Sequence, residues 1–493
     1  MWFTTCFLAI LMLIIYVCIK KSYTYWSSRG INGPTPIPFF GSVKDVIFRK
    51  NSLDGYLKRI YHEYPNDKVV GLYKGFIPLL LIRDPKIIKQ VFIKDFNSFH
   101  NRGFGTSSVR FSKNLFSAQD VTWKILRQKL TPTFTSKKLK DMLPLIQQCV
   151  NNNLEYIEKL INSNQEHEVR GLAGKYTLDT IGSCAFGLDL NIYKDGRNEF
   201  SEIAAKIFNP PFLRRIWMTL DLIIPNIKIK INIKSLDGNS NVVNFFVNLV
   251  KGIIDQRGGK PSNRKDFMDL MIELKEQGLV NRQDGNSPEE IEMDDDTIAA
   301  QAIVFYAAGY EGSSATISFL LHELALNQDI QNRVYTEIYK VKELTYESLS
   351  EMTYLHMVLN ETLRKTSPAG FLIRKATSNC FVSGINLTIE KGTNVIVSVS
   401  GLHSDPKYYQ NPTEFNPENM KITPQCAFLP FGAGPRNCIG LRFAEIQMMM
   451  CIAGFLMKFK VSPSLRTKQH HEFDPTAISL TNLHGIWLQI SKR

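Results

Sequence analysis

The amino-acid sequence predicts a mainly helical α+β fold, in which one large helical domain carries small β-sheets and follows an N-terminal transmembrane helix. Three observations support this prediction. Helical patterns of apolar residues dominate from about residue 120 onward, an almost unbroken apolar run occupies residues 3–19, and no linker in the body is long enough to separate domains. With 44% apolar residues, a chain of 493 residues can bury a large core.

The apolar run at residues 3–19 is barely long enough to span a bilayer, and Lys20, Lys21 and Arg29 follow it on one side only. No small-residue cleavage site follows the run, so residues 1–21 are predicted to be a retained membrane anchor, with a cleaved signal peptide as the alternative. The positive-inside rule then places the rest of the chain in the cytosol.

Residues 22–41 contain the basic residue Arg29 and the prolines Pro34, Pro36 and Pro38, which predicts a stiff, non-helical, basic and proline-rich hinge before a single domain at residues 42–493. Residues 39–46, where the hinge meets that domain, and residues 69–82 within it have the β-type character of a small sheet. The polar run at residues 258–296 is predicted to be a surface loop around one helix at 266–277. Residues 297–327 contain no proline and keep a helical period, which predicts one long, buried helix.

The chain carries 59 Lys+Arg against 46 Asp+Glu, a net charge of +13. This charge suits an anionic membrane surface, an acidic protein partner or nucleic acid, and a scattered solvated surface is an equal alternative. Nucleic-acid binding is disfavoured because the basic residues form no dense run. The eight cysteines form no CxxC pair, so neither a zinc site nor a disulfide scaffold is predicted, and a reducing compartment fits best.

The segment at residues 428–440 carries the strongest chemical signal. Cys438 directly precedes a predicted helix at 441–455, where the peptide dipoles favour a thiolate and help to keep a metal-ligating sulfur ionised. Gly434 permits a backbone bend, Phe431 can shield the sulfur from water, and Arg436 offers a donor fork to a cofactor carboxylate. A lone cysteine is more often an inert core residue, but this setting favours a thiolate ligand of haem iron.

Residues 431–440 resemble the haem-binding signature of the cytochrome P-450 superfamily of haem-thiolate monooxygenases, Phe-x-x-Gly-x-Arg-x-Cys-x-Gly. The family's other signatures follow in order, as Trp123 with Arg127, Glu361 with Arg364, and Arg374. The resemblance covers essentially the whole chain. Residues 130–136 and 307–313 are especially similar to the sixth family of insect microsomal members.

The resemblance implies haem b with Cys438 as the axial thiolate and metal ligand. It also implies a set of cofactor contacts, namely Trp123, Arg127, Arg374, Phe431, Arg436, Cys438 and Gly440. In such enzymes the long helix covers the oxygen-binding side of the haem. Ala308 and Gly309 then leave room for dioxygen, and Glu311 and Ser313 are the candidates for relaying protons. Close helix packing would select Ala308 and Gly309 equally well.

Three places depart from the family pattern, of which the change at residues 366–368 is the mildest. Gly312 stands where relatives carry a threonine, which predicts leakage of hydrogen peroxide during turnover. Asn419 stands where an arginine completes a triad with Glu361 and Arg364, and an incomplete buried charge network typically costs about 3–5 kcal/mol. Two interpretations of the change at Asn419 are open: either local rearrangement compensates for the missing arginine, or the protein is impaired.

The implied function is NADPH-dependent insertion of one atom of O2 into small lipophilic substrates, whether xenobiotics or endogenous lipids and hormones, at the endoplasmic reticulum membrane. Electrons would come from a separate NADPH-cytochrome reductase, with cytochrome b5 as a further candidate. The predicted docking residues are Lys124, Lys129, Arg436 and Arg442. The predicted substrate contacts are residues 101–116 and 208–222, Phe305, Ala308, Phe371, Leu372, Leu483 and His484. The alternatives are an impaired haem- or ligand-binding relative and a peroxide isomerase or dehydratase that needs no reductase.

Overall fold

The computed structural model describes residues 2, 6, 20–103, 113–162, 166–194, 198–208, 240–264, 266–281, 290–422, 424–477 and 480–493. In chain order its α-helices are α1 (Lys44–Ile47), α2 (Leu53–Glu63), α3 (Pro85–Lys89), α4 (Asp120–Leu130), α5 (Ser136–Ile161), α6 (Val169–Ile181), α7 (Glu199–Phe208), α8 (Ser240–Gln256), α9 (Phe267–Gln277), α10 (Asp295–Leu326), α11 (Gln328–Tyr339), α12 (Tyr346–Glu351), α13 (Thr353–Lys365), α14 (Val399–His403) and α15 (Leu441–Lys458). The predicted mainly helical fold is confirmed.

The long helix α10 is the centre of the helical body and confirms the helix predicted at residues 297–327. It begins where the Asp294 carboxylate accepts a hydrogen bond from the Thr297 N–H at 2.7 Å, which caps free amide groups of the first turn. Side chains are buried on nearly all sides at residues 297–303 and 313–325. Between these stretches Ala308 is exposed, because a cavity opens against the middle of the helix.

Helices α6, α8 and α15 pack directly on α10, and their apolar side chains form the main hydrophobic core. Helix α15 extends the helix predicted at 441–455 as far as Lys458 and is largely buried. Helix α9 begins after Asp266, whose carboxylate accepts from the Asp269 N–H at 3.0 Å, so the helix predicted inside the polar run is also present. The largely buried helices α10 and α15 therefore contact each other, and α15 begins directly after the segment that carries Cys438.

The strands are β1 (Val69–Lys74), β2 (Ile77–Ile82), β3 (Glu166–Glu168), β4 (Leu279–Val280), β5 (Ile291–Glu292), β6 (Phe371–Lys375), β7 (Cys380–Val382), β8 (Leu387–Ile389), β9 (Asn394–Ser398), β10 (Phe459–Pro463) and β11 (Trp487–Lys492). The largest sheet has the order β1-β2-β9-β6, with β2 parallel to β9 and the other neighbours antiparallel. The remaining strands form β10-β11-β3 and the pairs β4-β5 and β7-β8. The sheet prediction is confirmed at residues 69–82. It is wrong for most of 39–46, where α1 begins at Lys44 and Gly41 makes only isolated bridges.

Part of the predicted hinge is fixed to this sheet. Trp26 is buried, and its indole Nε1–H donates to the Leu72 carbonyl at 2.9 Å. Gly71 makes the contact possible, since a Cβ there would lie 2.4 Å from the Trp26 ring. The chain is thus held against the largest sheet within a few residues of the basic pair Lys20 and Lys21.

The predicted membrane anchor falls almost entirely outside the described residues, as do residues 104–112 and 209–222 of the predicted substrate contacts. Among the helices that the structure describes, none combines the length and the apolar character needed to cross a bilayer.

Candidate active site

The segment around Cys438 is a tight loop closed by its own backbone. The Cys438 N–H donates to the Phe431 carbonyl at 2.8 Å, and the Asn437 N–H donates to the Gly434 carbonyl at 3.0 Å. Gly434 has φ +71°, and a Cβ there would lie 1.9 Å from the Phe92 carbonyl oxygen. Only glycine fits this position, so the bend predicted at Gly434 is present.

The loop directs the Cys438 side chain into a cavity of about 950 Å³ inside the protein. The side chain lies deep in the molecule, and its accessible surface faces this cavity and not the outer surface of the protein. Burial raises the pKa of the Cys438 thiol, and the Gly440 N–H and the charges of Arg127 and Arg102 lower it only in part. The prediction that the helix terminus favours the thiolate is therefore outweighed by burial, and a bound metal cation would supply the stabilisation that is missing.

The middle of α10 lines the same cavity with one face. That face contains Phe305, Ala308, Gly309, Gly312 and Thr316, which repeat at the spacing of successive helical turns. A Cβ built at Gly312 would meet no atom of the described residues within 4 Å, so this position opens onto the cavity. Gly309 differs, because a Cβ there would lie 2.7 Å from the Ile181 side chain, and its small size serves helix packing as well.

The proton-relay candidates separate in the structure. Ser313 lines the cavity, and its Oγ accepts a hydrogen bond from Gln447 Nε2 at 2.6 Å. Glu311 does not line the cavity; its carboxylate pairs with the Arg170 guanidinium at 2.6 Å. Successive helical residues are turned by about 100°, so the glutamate next to the cavity-facing Gly312 points along α6 instead. Of the two candidates, Ser313 therefore reaches the cavity wall and Glu311 lies behind it, paired with Arg170.

Four arginines, Arg102, Arg127, Arg374 and Arg436, line one part of the cavity. No carboxylate of the described residues forms a salt bridge with any of them. Burial and repulsion by neighbouring guanidinium groups lower the pKa of Arg436 to about 8, and burial with the charge of Arg102 lowers that of Arg374 to about 9.

The Nε atoms of Arg374 and Arg436 are buried and have no hydrogen-bond partner among the described residues. Unpaired buried guanidinium groups are costly, and their fixed forks of N–H donors match carboxylates. The cluster therefore fits the acidic groups of a haem whose iron lies at Cys438. Arg102 was missed as a cofactor contact, because the antiparallel bridge between Asn101 and Lys375 that brings it beside Arg374 leaves no pattern in the sequence.

The remaining predicted cofactor contacts surround this cluster. Trp123, Arg127, Phe431 and Gly440 all line the cavity, and the Arg436 guanidinium lies 4.4 Å from the Trp123 ring centre. Arg127 donates to the Asn437 carbonyl at 3.0 Å and to its side-chain oxygen at 2.9 Å, which joins α4 to the Cys438 loop. Arg436 is only 2% exposed, so its predicted place on a docking face is wrong.

Behind the cavity, Glu361 and Arg364 form a fully buried ion pair through two hydrogen bonds of 2.7 and 2.8 Å. The other donors of Arg364 bond to the carbonyls of His403, Pro412 and Glu414 at 2.8–3.1 Å. Asn419 Nδ2 donates to Glu361 Oε1 at 3.3 Å. It thus contacts the carboxylate that the arginine at this position contacts in the family's triad. All five N–H groups of the guanidinium are bonded, so the network is complete without a second arginine.

Several predicted substrate contacts do line the cavity, namely Phe116, Phe305, Ala308, Phe371 and Leu372. Leu483 and His484 do not, and His484 Nε2 instead lies 3.1 Å from the Glu472 carboxylate at the surface. Phe473 and Leu480 line the wall in their place. The prediction named Leu483 and His484, and the structure brings other residues of the C-terminal region to the cavity.

A cysteine sulfur in a large interior cavity, a long helix with small residues on the cavity wall and a cluster of unpaired buried arginines define the haem-thiolate oxygenases as a class. The family model described as "Cytochrome P450" matches residues 31–488. The chain belongs to the cytochrome P450 family, and as such it is a haem-thiolate monooxygenase that uses O2, a redox partner and a lipophilic substrate.

Curated relatives agree with this assignment. The chain is 40% identical to cytochrome P450 6B7 of Helicoverpa armigera over 99% of its length and 97% of the relative's. It is 41% identical to cytochrome P450 6B5 of Papilio glaucus, over 93% and 98% of the two chains. It is 36% identical to cytochrome P450 6k1 of Blattella germanica, over 98% and 96%.

Proposed function

We propose that this chain is a microsomal monooxygenase that oxidises small lipophilic compounds, either xenobiotics or endogenous lipids and hormones, with electrons derived from NADPH. The observation that carries the proposal is a cavity of about 950 Å³ in which the Cys438 side chain and the face of α10 at Ala308 and Gly312 share one space. The walls are mainly apolar and aromatic side chains, including Phe305, Phe371 and Leu372, which suits an apolar substrate.

In the proposed site, Cys438 would hold the iron of haem b through its thiolate, and Arg102, Arg127, Arg374 and Arg436 would bind the haem carboxylates. Trp123, Phe431 and Gly440 complete the set of contacts. When bound, the haem supplies the iron at which dioxygen is reduced. The chain itself orients the group through the arginine forks and excludes water with Phe431.

Proton delivery is proposed to depend on Ser313. Its Oγ accepts from Gln447 Nε2 at 2.6 Å, so the serine's own hydrogen is directed elsewhere and can be donated. Ala308, Gly309 and Gly312 leave room on the same wall for oxygen and for ordered water. Glu311 has no part in this proposal, since its carboxylate is engaged by Arg170.

Electron delivery is proposed to come from an NADPH-cytochrome reductase, with cytochrome b5 as a second donor. Of the predicted docking residues, Arg442 is exposed and Lys124 and Lys129 are half-buried, and all three belong to α15 and α4 beside the Cys438 loop. A basic face there would attract an acidic partner surface. Residues 1–21 are proposed to anchor the chain in the endoplasmic reticulum membrane, with residues 22–41 leading to the cytosolic domain at 42–493.

A carbon monoxide difference spectrum of the reduced protein in membranes tests the site. The wild-type chain should give a thiolate-haem Soret band, and Cys438→Ala should abolish it while Cys426→Ala, at a buried cysteine outside the cavity, retains it. Addition of reductase and NADPH should then give oxidised product from lipophilic test compounds. A band without any reductase-dependent oxidation would contradict the monooxygenase assignment and favour a peroxide isomerase or an impaired relative.

A further inference from the structure

Outside the active site, the C-terminal half of α10 faces an unusual group of side chains. His322 and Glu323 belong to α10, and His471 comes from the segment between β10 and β11. One nitrogen of each histidine and one carboxylate oxygen of Glu323 lie within 4.8 Å of one another. The two imidazole rings are 4.3 Å apart between centres, and His322 is only 3% exposed.

Each imidazole has one nitrogen engaged by a neighbour, and its other nitrogen has no partner in the described part of the chain. His322 Nε2 donates to the Lys468 carbonyl at 2.8 Å, and His471 Nδ1 faces Asn482 Nδ2 at 2.8 Å. His322 Nδ1 and His471 Nε2 are buried and make no hydrogen bond with any residue that the structure describes. A histidine that binds a metal through one ring nitrogen usually donates the N–H of the other nitrogen to a carbonyl or carboxylate. His322 has this arrangement, because its Nε2–H is held by the Lys468 carbonyl.

We infer that His322, Glu323 and His471 form a binding site for a divalent transition-metal ion of the zinc type, which nothing in the monooxygenase reaction requires. Two imidazole nitrogens with one carboxylate are a donor set that suits zinc, whereas magnesium and calcium prefer oxygen ligands. A tetrahedral ion with bonds of about 2.1 Å places its ligands about 3.4 Å apart. Binding therefore draws His471 and its segment toward α10.

Two features of the structure oppose metal binding and set its strength. The Lys365 ammonium lies 2.9 Å from Glu323 Oε1 and must turn away, which its 28% exposed side chain allows. His471 must also move its ring proton to Nδ1, so the Asn482 amide must present its oxygen there. Removing the competing ammonium should consequently strengthen the site.

The test is equilibrium dialysis of the haem-loaded full-length protein against zinc with a competing chelator, followed by metal counting. We expect one zinc ion whose affinity falls by about tenfold or more in His471→Gln and rises in Lys365→Met. His484→Gln is the matched control, since this exposed histidine pairs with Glu472 away from the cluster, and it should bind zinc like the wild type. An excess of magnesium should not displace the ion.

Two measurements keep the outcome interpretable. The carbon monoxide difference spectrum of each variant reports whether the chain is folded, so a lost zinc ion with an intact spectrum supports the site. Hydrogen exchange should slow on zinc addition at residues 464–473 and 320–326 in the wild type but not in His471→Gln. Equal zinc affinity in the wild type and His471→Gln, weaker binding in Lys365→Met, or zinc binding without that protection would each overturn the inference.

Discussion

The ion pair between Glu361 and Arg364 gives the sharpest test of how the core behind the cavity is stabilised. Glu361→Gln preserves shape and removes the charge, so the buried guanidinium keeps three carbonyl partners but loses the carboxylate that pairs with it. The new amide would also direct an NH2 group at one of the Arg364 donors. Breaking a buried pair in this way costs about 3–5 kcal/mol.

Two controls calibrate that figure. Asn419→Ala removes a 3.3 Å hydrogen bond to Glu361 Oε1, which still accepts from Arg364 and from the Asn416 N–H at 2.9 Å. Its expected cost is about 1 kcal/mol. Arg59→Ala removes an exposed ion pair with Glu63 and should cost at most about 0.5 kcal/mol.

The assay is the midpoint of denaturant-induced loss of the thiolate-haem absorbance, measured for the three variants in one detergent. The destabilisation should follow the order Glu361→Gln, Asn419→Ala, Arg59→Ala. If Glu361→Gln lies within about 1 kcal/mol of the wild type, the ion pair does not carry the energy assigned to it. If Asn419→Ala is as damaging as Glu361→Gln, the claim that the network is complete without a second arginine is refuted.

Three further outcomes are expected. Gly312→Thr should raise the amount of product formed per NADPH consumed, because the threonine hydroxyl enters open space beside the cavity. The control Gly312→Ala should add about 1 kcal/mol of helix stability without improving that ratio. Arg374→Met should weaken haem retention by about 10- to 100-fold, measured by transfer to apomyoglobin, while Lys375→Met on the exposed side of β6 should not. Burial lowers the pKa of His403 to about 3, so the unfolded chain takes up a proton first as pH falls below about 6.5. Stability should therefore decline between pH 7 and pH 5 in the wild type and decline less in His403→Gln, as read from denaturation midpoints.

The features that the sequence predicted well are those encoded locally. The bend at Gly434 depends on a glycine at a fixed distance from Cys438, and α10 depends on a long run of apolar residues with an Asp cap. The features that it missed depend on contacts between distant segments. Arg436 and Arg442 have similar neighbourhoods in the sequence, yet one is buried against Ala118 and the other is exposed, because packing of the loop before α4 covers only the first.

Glu311 illustrates the same limit within a helix. A helical period shows which residues share a face, but not which face borders the cavity. That choice is made by α6, whose Arg170 binds the Glu311 carboxylate and also donates to Ser314 Oγ at 2.6 Å. Gly312 consequently faces the cavity, and Glu311 faces α6.

The arginine cluster connects cofactor binding to folding of the chain. Arg102, Arg374 and Arg436 repel one another, and each has its pKa lowered mainly by burial, to about 10, 9 and 8. Within the described residues no carboxylate pairs with them, so this part of the chain bears a buried charge that its own carboxylates do not compensate. A ligand that supplies two carboxylates at this place binds the folded chain and not the unfolded one, and it stabilises the fold by mass action. The same residues that orient the haem therefore make the fold of the surrounding loops depend on it.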